Sequence, residues 1–124
     1  MLIDIDRLIA RARDDFEFKR ETRYLNGTIA LSMDGEKAVL DFADGKLTGV
    51  GSGTSSGHHR IEVGGTAEQW SQLLMDKPVP FYQCIQSAAV RHGMTISATD
   101  ETFAYLPALN RLTTLMRDVR NGRA

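Results

Sequence analysis

Between Thr28 and Val63 the apolar residues fall on every second position, a period that belongs to a half-buried β-sheet. Ile29, Leu31 and Met33 share one side, with Ala30 and Ser32 opposite. After Asp34-Gly35-Glu36 the pattern repeats in Ala38, Leu40 and Phe42. Asp44-Gly45 marks a second tight turn, because Asp-Gly pairs tolerate the positive φ that a two-residue hairpin needs. Lys46 to Val50 reads as a third, weaker strand. Beyond the glycine-rich stretch 51–57, His58 to Val63 reads as a fourth, with His59, Ile61 and Val63 on one side. Hairpin following hairpin predicts an antiparallel meander.

A sheet with one apolar face has to be covered on that face, and the cover lies between Gly64 and Met116. Thr66 with Gln69 three residues on is a capping box, opening a helix whose buried stripe is Trp70, Leu73 and Leu74. Asp76-Lys77-Pro78-Val79-Pro80 breaks that helix, since proline lacks the donor and restricts its predecessor. A second helix is expected from about Phe81, carrying Phe81, Cys84, Ile85, Ala88 and Ala89 on one side and ending at His92-Gly93. Met94, Ile96 and Ala98 alternate as a fifth strand. A last helix puts Phe103, Leu106, Leu109, Leu112, Leu115 and Met116 on one face despite Pro107.

Ahead of the sheet, Leu2, Ile5, Leu8, Ile9 and Ala12 recur at three- and four-residue spacing among charges, an amphipathic helix with early aspartates suited to its dipole. Residues 15–25 are ambiguous. Phe16 and Phe18 alternate as in a strand, whereas Tyr24-Leu25 before Asn26-Gly27 suits a helix with a left-handed stop. Helix or loop is the expectation.

These patterns make an α+β domain: a five-stranded, mostly antiparallel sheet covered on one face by helices. At 124 residues the chain is one domain by size and can bury a core without metal or disulfide staples. The divisions expected are an N-terminal helix in 1–25, a main unit in 26–117 and a basic tail in 118–124. A formal net charge of −1 argues against nucleic acid, whose phosphates require a basic field. One cysteine excludes an internal disulfide and fits a reducing compartment. No run approaches a membrane span, and the first residues lack the order of a secretory signal. Cytoplasm is the expected location. Oligomeric state is not legible, and no cofactor is called for. The helical faces offer more apolar surface than five strands need, which fits a hollow for a ligand and fits a solid core as well.

Several motifs carry chemistry on paper. Residues 53–57 match G-x-S-x-G, but the nucleophile elbow needs a strand before it and a helix after it, and here a strand follows. The wider glycine-rich loop lacks the Lys-Ser/Thr of a phosphate loop. His58, His59 and His92 have no ordered metal spacing. His59 and His92 can still face a cavity and orient a carboxylate or act as acid or base. Cys84, among Phe81, Ile85 and Ala88, reads as a small buried hydrophobe. Asn26-Gly27-Thr28 is a glycosylation sequon by pattern alone. Arg111, Arg117, Arg120 and Arg123 make the C-terminal segment basic, suited to a helix C-terminus, a phosphate or an anionic membrane surface.

The succession Ile61-Glu62-Val63-Gly64-Gly65-Thr66-Ala67-Glu68-Gln69-Trp70, then Leu73-Leu74, resembles the sterol carrier protein type two domain. There a strand ending in glycine leads to a helix with a large residue followed by paired leucines. The pieces Phe81 to Arg91, Gly93 to Thr99 and Phe103 to Met116, and the turn Asp44-Gly45 before Lys46-Leu47, are similar to the family's later helices, last strand and hairpin. The likeness spans Asn26 to Arg117. It departs at Arg91-His92-Gly93-Met94, where many members carry a glycine-lysine phrase.

The resemblance implies a non-catalytic carrier with an apolar tunnel for a fatty acid, acyl thioester or sterol; transient contact with a membrane surface is an expectation that the basic C-terminal segment leaves open. Residues expected to line that tunnel are Leu31, Leu40, Trp70, Leu74, Phe81, Ile85, Met94, Ile96, Phe103, Leu106 and Leu109, with His59 and His92 at its polar positions. Met33, Met75 and Met116 join Met94 as adaptable side chains. The rival expectation is a small isomerase or cyclase acting on a polyketide- or steroid-like substrate, with His59 or His92 as base.

Overall fold

The computed structural model describes residues 2–51, 59–97 and 100–122, without the side chains of residues 59 and 101. Two helices lead, α1 (Ile5–Asp14) and α2 (Phe16–Glu21), then four strands: β1 (Gly27–Met33), β2 (Glu36–Ala43), β3 (Lys46–Val50) and β4 (His59–Gly65). Helices α3 (Ala67–Leu73) and α4 (Ile85–His92) precede a short β5 (Thr95–Ile96), and α5 (Asp100–Ala104) and α6 (Leu106–Arg120) close the chain.

The two Asp-Gly pairs do what their chemistry allows. Asp34 and Gly35 sit at φ 52° and 90°, Asp44 and Gly45 at 50° and 79°. Positive φ at both central residues is what a two-residue hairpin requires to match strand twist. The hairpins join β1 to β2 and β2 to β3 in antiparallel register.

The fourth strand departs from the expected meander. It lies on the other side of β1 and runs parallel to it, Gly27 beside His59 and Met33 beside Gly65. Among the described residues the sheet order is β3-β2-β1-β4-β5, antiparallel at every pairing except β1 with β4. A period of two names the buried face but not the neighbour or its direction.

Ile29, Leu31, Met33, Leu40, Phe42, Ile61 and Val63 form a single core cluster with Leu8, Phe18, Trp70, Leu73, Ile85, Leu109 and Leu112 from the helices. The reverse face carries exposed Lys37, Arg60 and Glu62, with a Lys37 Nζ to Glu62 Oε1 ion pair of 3.1 Å. Trp70 bridges the layers. Its ring is fully buried, and its indole N–H donates to the Ser32 carbonyl at 2.7 Å.

The capping box forms in both directions. Thr66 Oγ1 accepts from the Gln69 amide at 3.1 Å, and Gln69 Oε1 accepts from the Thr66 amide at 2.8 Å. Gln69 Nε2 also donates to the His92 carbonyl at 2.7 Å, joining the start of α3 to the end of α4. Gly93, at φ 78°, terminates α4 in the left-handed conformation that glycine adopts without strain.

Two aromatic placements correct the sequence reading. The helix expected from Phe81 begins only at Ile85, and Phe81 stands in the preceding loop at φ 69°, 45% exposed. Two prolines within three residues delay the helix there. Phe103 is 63% exposed because it belongs to the separate short α5, which buries Thr102. Pro107 lies in the first turn of α6, where its missing donor costs nothing. That helix continues through residue 118, where Asp118 pairs with Arg11 at 2.8 Å, and buries Val119. No helix among the described residues is long and apolar enough to cross a membrane.

Candidate functional site

Leu31, Leu40, Trp70, Leu74, Ile85, Met94 and Leu109 are all buried members of the core cluster, with Ile96 and Leu106 packed against it. Phe81 and Phe103 stand outside it. His92 is part-buried, its ring stacked on Tyr82 with centroids 3.9 Å apart and its Nε2 bonded to the Pro80 carbonyl at 3.1 Å. The backbone of His59 lies in β4; its side chain, His58 and the G-x-S-x-G segment are outside the described residues. Cys84 is half-buried at the N-cap of α4, its Sγ 3.3 Å from Ser87 Oγ.

A concavity of about 460 Å³ opens elsewhere, between the N-terminal helices and the β2–β3 turn. It uses none of those thirteen residues. Its origin is Asp15. The Asp15 amide donates back to Ala12 as α1 ends, and its carboxylate accepts from the Phe18 amide at 2.8 Å as α2 begins. One residue thus stops a helix and caps the next, and the bend turns Phe18 inward while Phe16 stays exposed.

The facing wall is fastened by polar contacts. Thr22 Oγ1 donates to the Gly45 carbonyl at 3.2 Å, and the Gly45 amide to the Leu25 carbonyl at 2.8 Å. Asn26 Oδ1 accepts from the Asp44 amide at 2.7 Å. A side chain at Gly45 would overlap the Arg23 backbone, so the turn approaches only as glycine. From α1, Arg13 donates to the Leu47 carbonyl at 3.1 Å and the Thr48 carbonyl at 2.7 Å, bolting the helix to β3.

The floor is Ala12, Phe18, Thr22 and Leu47, all buried, with the Phe18 ring tilted onto Phe42 at 6.1 Å. The rim is Arg13, Lys19, Arg23 and Lys46 against Asp44, all exposed. Four cations to one anion give the mouth a positive potential above an apolar base. A drug-sized or lipid-like ligand needs about 300–1,000 Å³, so the size suffices. A second concavity, about 320 Å³ on the reverse face of the sheet, has buried Thr28, Ala30 and Ile61 in its lining and carries both signs of charge in Lys37, Arg60 and Glu62, with Lys37 and Glu62 ion-paired across it.

The C-terminal arginines are tied into the fold. Arg111 binds Asp15, and Arg120 donates to the Leu2 carbonyl at 2.8 Å. Arg117 donates to the carbonyls of Leu73, Tyr82 and Gln83, and its burial lowers its pKa. Arg123 lies outside the described residues. No group of three or more metal-ligating side chains occurs among the described residues.

Sequence reasoning missed the groove because it is made by residues 12–23, the stretch left ambiguous. The usable signal was Asp15 as a second N-cap three residues before Phe18.

No protein-family model matches the sequence, and no curated protein matches it. Solved structures do match. A crystal structure of sterol carrier protein 2 superposes with a TM-score of 0.68 at 16% identity, over 93% of this chain and 94% of that one. A structure described as UbiJ-SCP2, ubiquinone synthesis protein, gives 0.56 at 16% identity, over 90% of each chain. Sterol carrier protein 2 from Yarrowia lipolytica, in its apo form, gives 0.56 at 12% identity, over 95% of this chain and 99% of that one. The chain has the fold of sterol carrier protein 2.

Proposed function

We propose that this domain binds an amphiphile with an apolar tail and an anionic head, reversibly and without turnover. The seat is the groove between α1–α2 and the β2–β3 turn. The observation that carries this reading is the pairing of a buried apolar floor with a four-cation rim in one concavity. The sterol-carrier-like fold supports it. Each methylene fully transferred from water gains about 0.8 kcal/mol, and a groove open to solvent on one side secures only part of that for each methylene. Immobilisation offsets about 4–15 kcal/mol. The balance is weak, releasable binding, in keeping with a carrier of fatty acids or acyl thioesters. His92, stacked and hydrogen-bonded to a backbone carbonyl, serves the α3–α4 loop in this account and performs no proton transfer.

The test is displacement of a fluorescent fatty-acid analogue, together with native mass spectrometry of protein purified from cells. The reading expects displacement on the order of tens of micromolar and a co-purified lipid mass; absence of both overturns it.

A further inference from the structure

The most unusual backbone in the described chain belongs to an aromatic residue. Val79-Pro80-Phe81-Tyr82 is closed by a hydrogen bond from the Tyr82 amide to the Val79 carbonyl at 3.1 Å, with Pro80 second and Phe81 third at φ 69°. Proline then positive φ is the pattern of a type II turn, whose third residue is ordinarily glycine or asparagine. A bulky residue there is strained, and such strain points towards function where the surroundings enforce it.

The surroundings do enforce it. The Pro80 carbonyl is held by His92, the Tyr82 and Gln83 carbonyls by Arg117, and the Leu74 carbonyl by Asn121. The loop is pinned from below, so the exposure of its tip is built in. At that tip Val79 is 40% and Phe81 45% exposed, and on α4 Val90 is 81% exposed. Arg91 lies over the Phe81 ring, its guanidinium carbon 4.5 Å from the centroid.

We infer that this turn is a membrane-docking knuckle that meets the interface of an anionic lipid surface. Aromatic side chains settle at the boundary between headgroups and acyl chains. A guanidinium resting on the ring would stand at the phosphate level there. Lys77 precedes the turn with Asp76 beside it, so the cation that the structure sets at the ring is Arg91, and a basic residue near an anionic leaflet contributes to attraction. A protein socket for Phe81 would have to desolvate the Arg91 guanidinium along with the ring; a lipid interface hydrates the one while burying the other. The inference does not rest on the amphiphile groove, which draws on none of these residues.

The experiment is flotation of the full chain with phosphatidylcholine vesicles and with equal mixtures of phosphatidylcholine and phosphatidylglycerol. Phe81→Gly removes the ring while suiting the positive φ, so it keeps or raises Tm. It should lower partition onto the mixed vesicles about tenfold. Arg91→Gln should narrow the difference between mixed and neutral vesicles. Wild-type chain that floats with neither vesicle overturns the inference, as does Phe81→Gly partitioning like wild type, and either leaves a protein socket as the occupant. Fatty-acid displacement measured on Phe81→Gly keeps the two proposals apart: affinity in solution should be unchanged.

Discussion

Arg111 of α6 grips the Asp15 carboxylate with two hydrogen bonds, Nη2 to Oδ1 at 2.7 Å and Nε to Oδ2 at 2.9 Å. The contact ties the last helix to the residue at which α1 ends and α2 begins. Asp15 therefore positions the groove wall through three partners: the Ala12 carbonyl, the Phe18 amide and the Arg111 guanidinium. The Arg111 hydrogen bond, only partly opposed by burial and aided by the Phe18 amide, holds the Asp15 carboxyl below its ordinary value. Arg111 is raised in return.

Asp15→Asn keeps the cap, since asparagine caps as well as aspartate, and removes the charge. It should cost about 1.5–3 kcal/mol at neutral pH, the range for hydrogen bonds to charged groups. A carboxyl with a depressed folded pKa contributes fully above its unfolded value, near pH 4, and loses that contribution as pH falls through the folded value. Urea melts of wild type and variant should differ at pH 7 and converge progressively below about pH 4. A gap that persists unchanged in acid would contradict the assignment.

Gln69 closes the capping box with one amide atom and reaches the His92 carbonyl with the other. Gln69→Glu retains the acceptor but sets a carboxylate against a carbonyl, and should destabilise by about 1–2 kcal/mol in denaturant melts. Thr66→Ala should cost about 1 kcal/mol. Equal stability of Gln69→Glu and wild type would show that the link to α4 is dispensable.

That capping box was legible in the sequence, as were the two Asp-Gly turns, the bounds of β3 and the buried stripe Trp70, Leu73 and Leu74. Each is a local pattern in which residue type and spacing alone specify the geometry. The parallel placement of β4 beside β1 was not legible, because alternation carries no record of which strand lies alongside. Phe81 and Phe103 were read as inward-facing because each was counted into the apolar stripe of the helix that follows it; those helices begin only at Ile85 and Leu106, and turn closure and a helix break put both aromatics outside. The groove depends on Asp15 meeting Arg111, 96 residues apart, a pairing invisible to periodicity.

The cationic rim should discriminate by head-group charge. Lys19→Glu and Lys46→Glu together should weaken binding of a fatty acid severalfold at low salt, and leave a fatty alcohol of the same length nearly unaffected. Raising salt to about 1 M should shrink the difference, since the screening length falls to about 3 Å. Equal losses for acid and alcohol would mean that the rim acts by shape.

Trp70→Phe removes the indole donor to the Ser32 carbonyl and leaves a void between the layers. Thermal melts should show a loss of about 2–3 kcal/mol. Fatty-acid affinity should nonetheless hold, because Trp70 is not among the residues that line the groove. Affinity that falls in step with stability would relocate the ligand to the space between sheet and helices.

The most direct measurement is a titration of isotope-labelled protein with palmitate, followed by amide chemical shifts. Bound in the groove, palmitate should move the amides of Ala12, Arg13, Phe18, Lys19, Thr22, Arg23 and Gly45 to Leu47, and leave Trp70, Ile85 and Met94 in place. Shifts confined to the segment from Gly64 to Met116, or none up to the solubility limit of the ligand, would contradict the groove as the binding site.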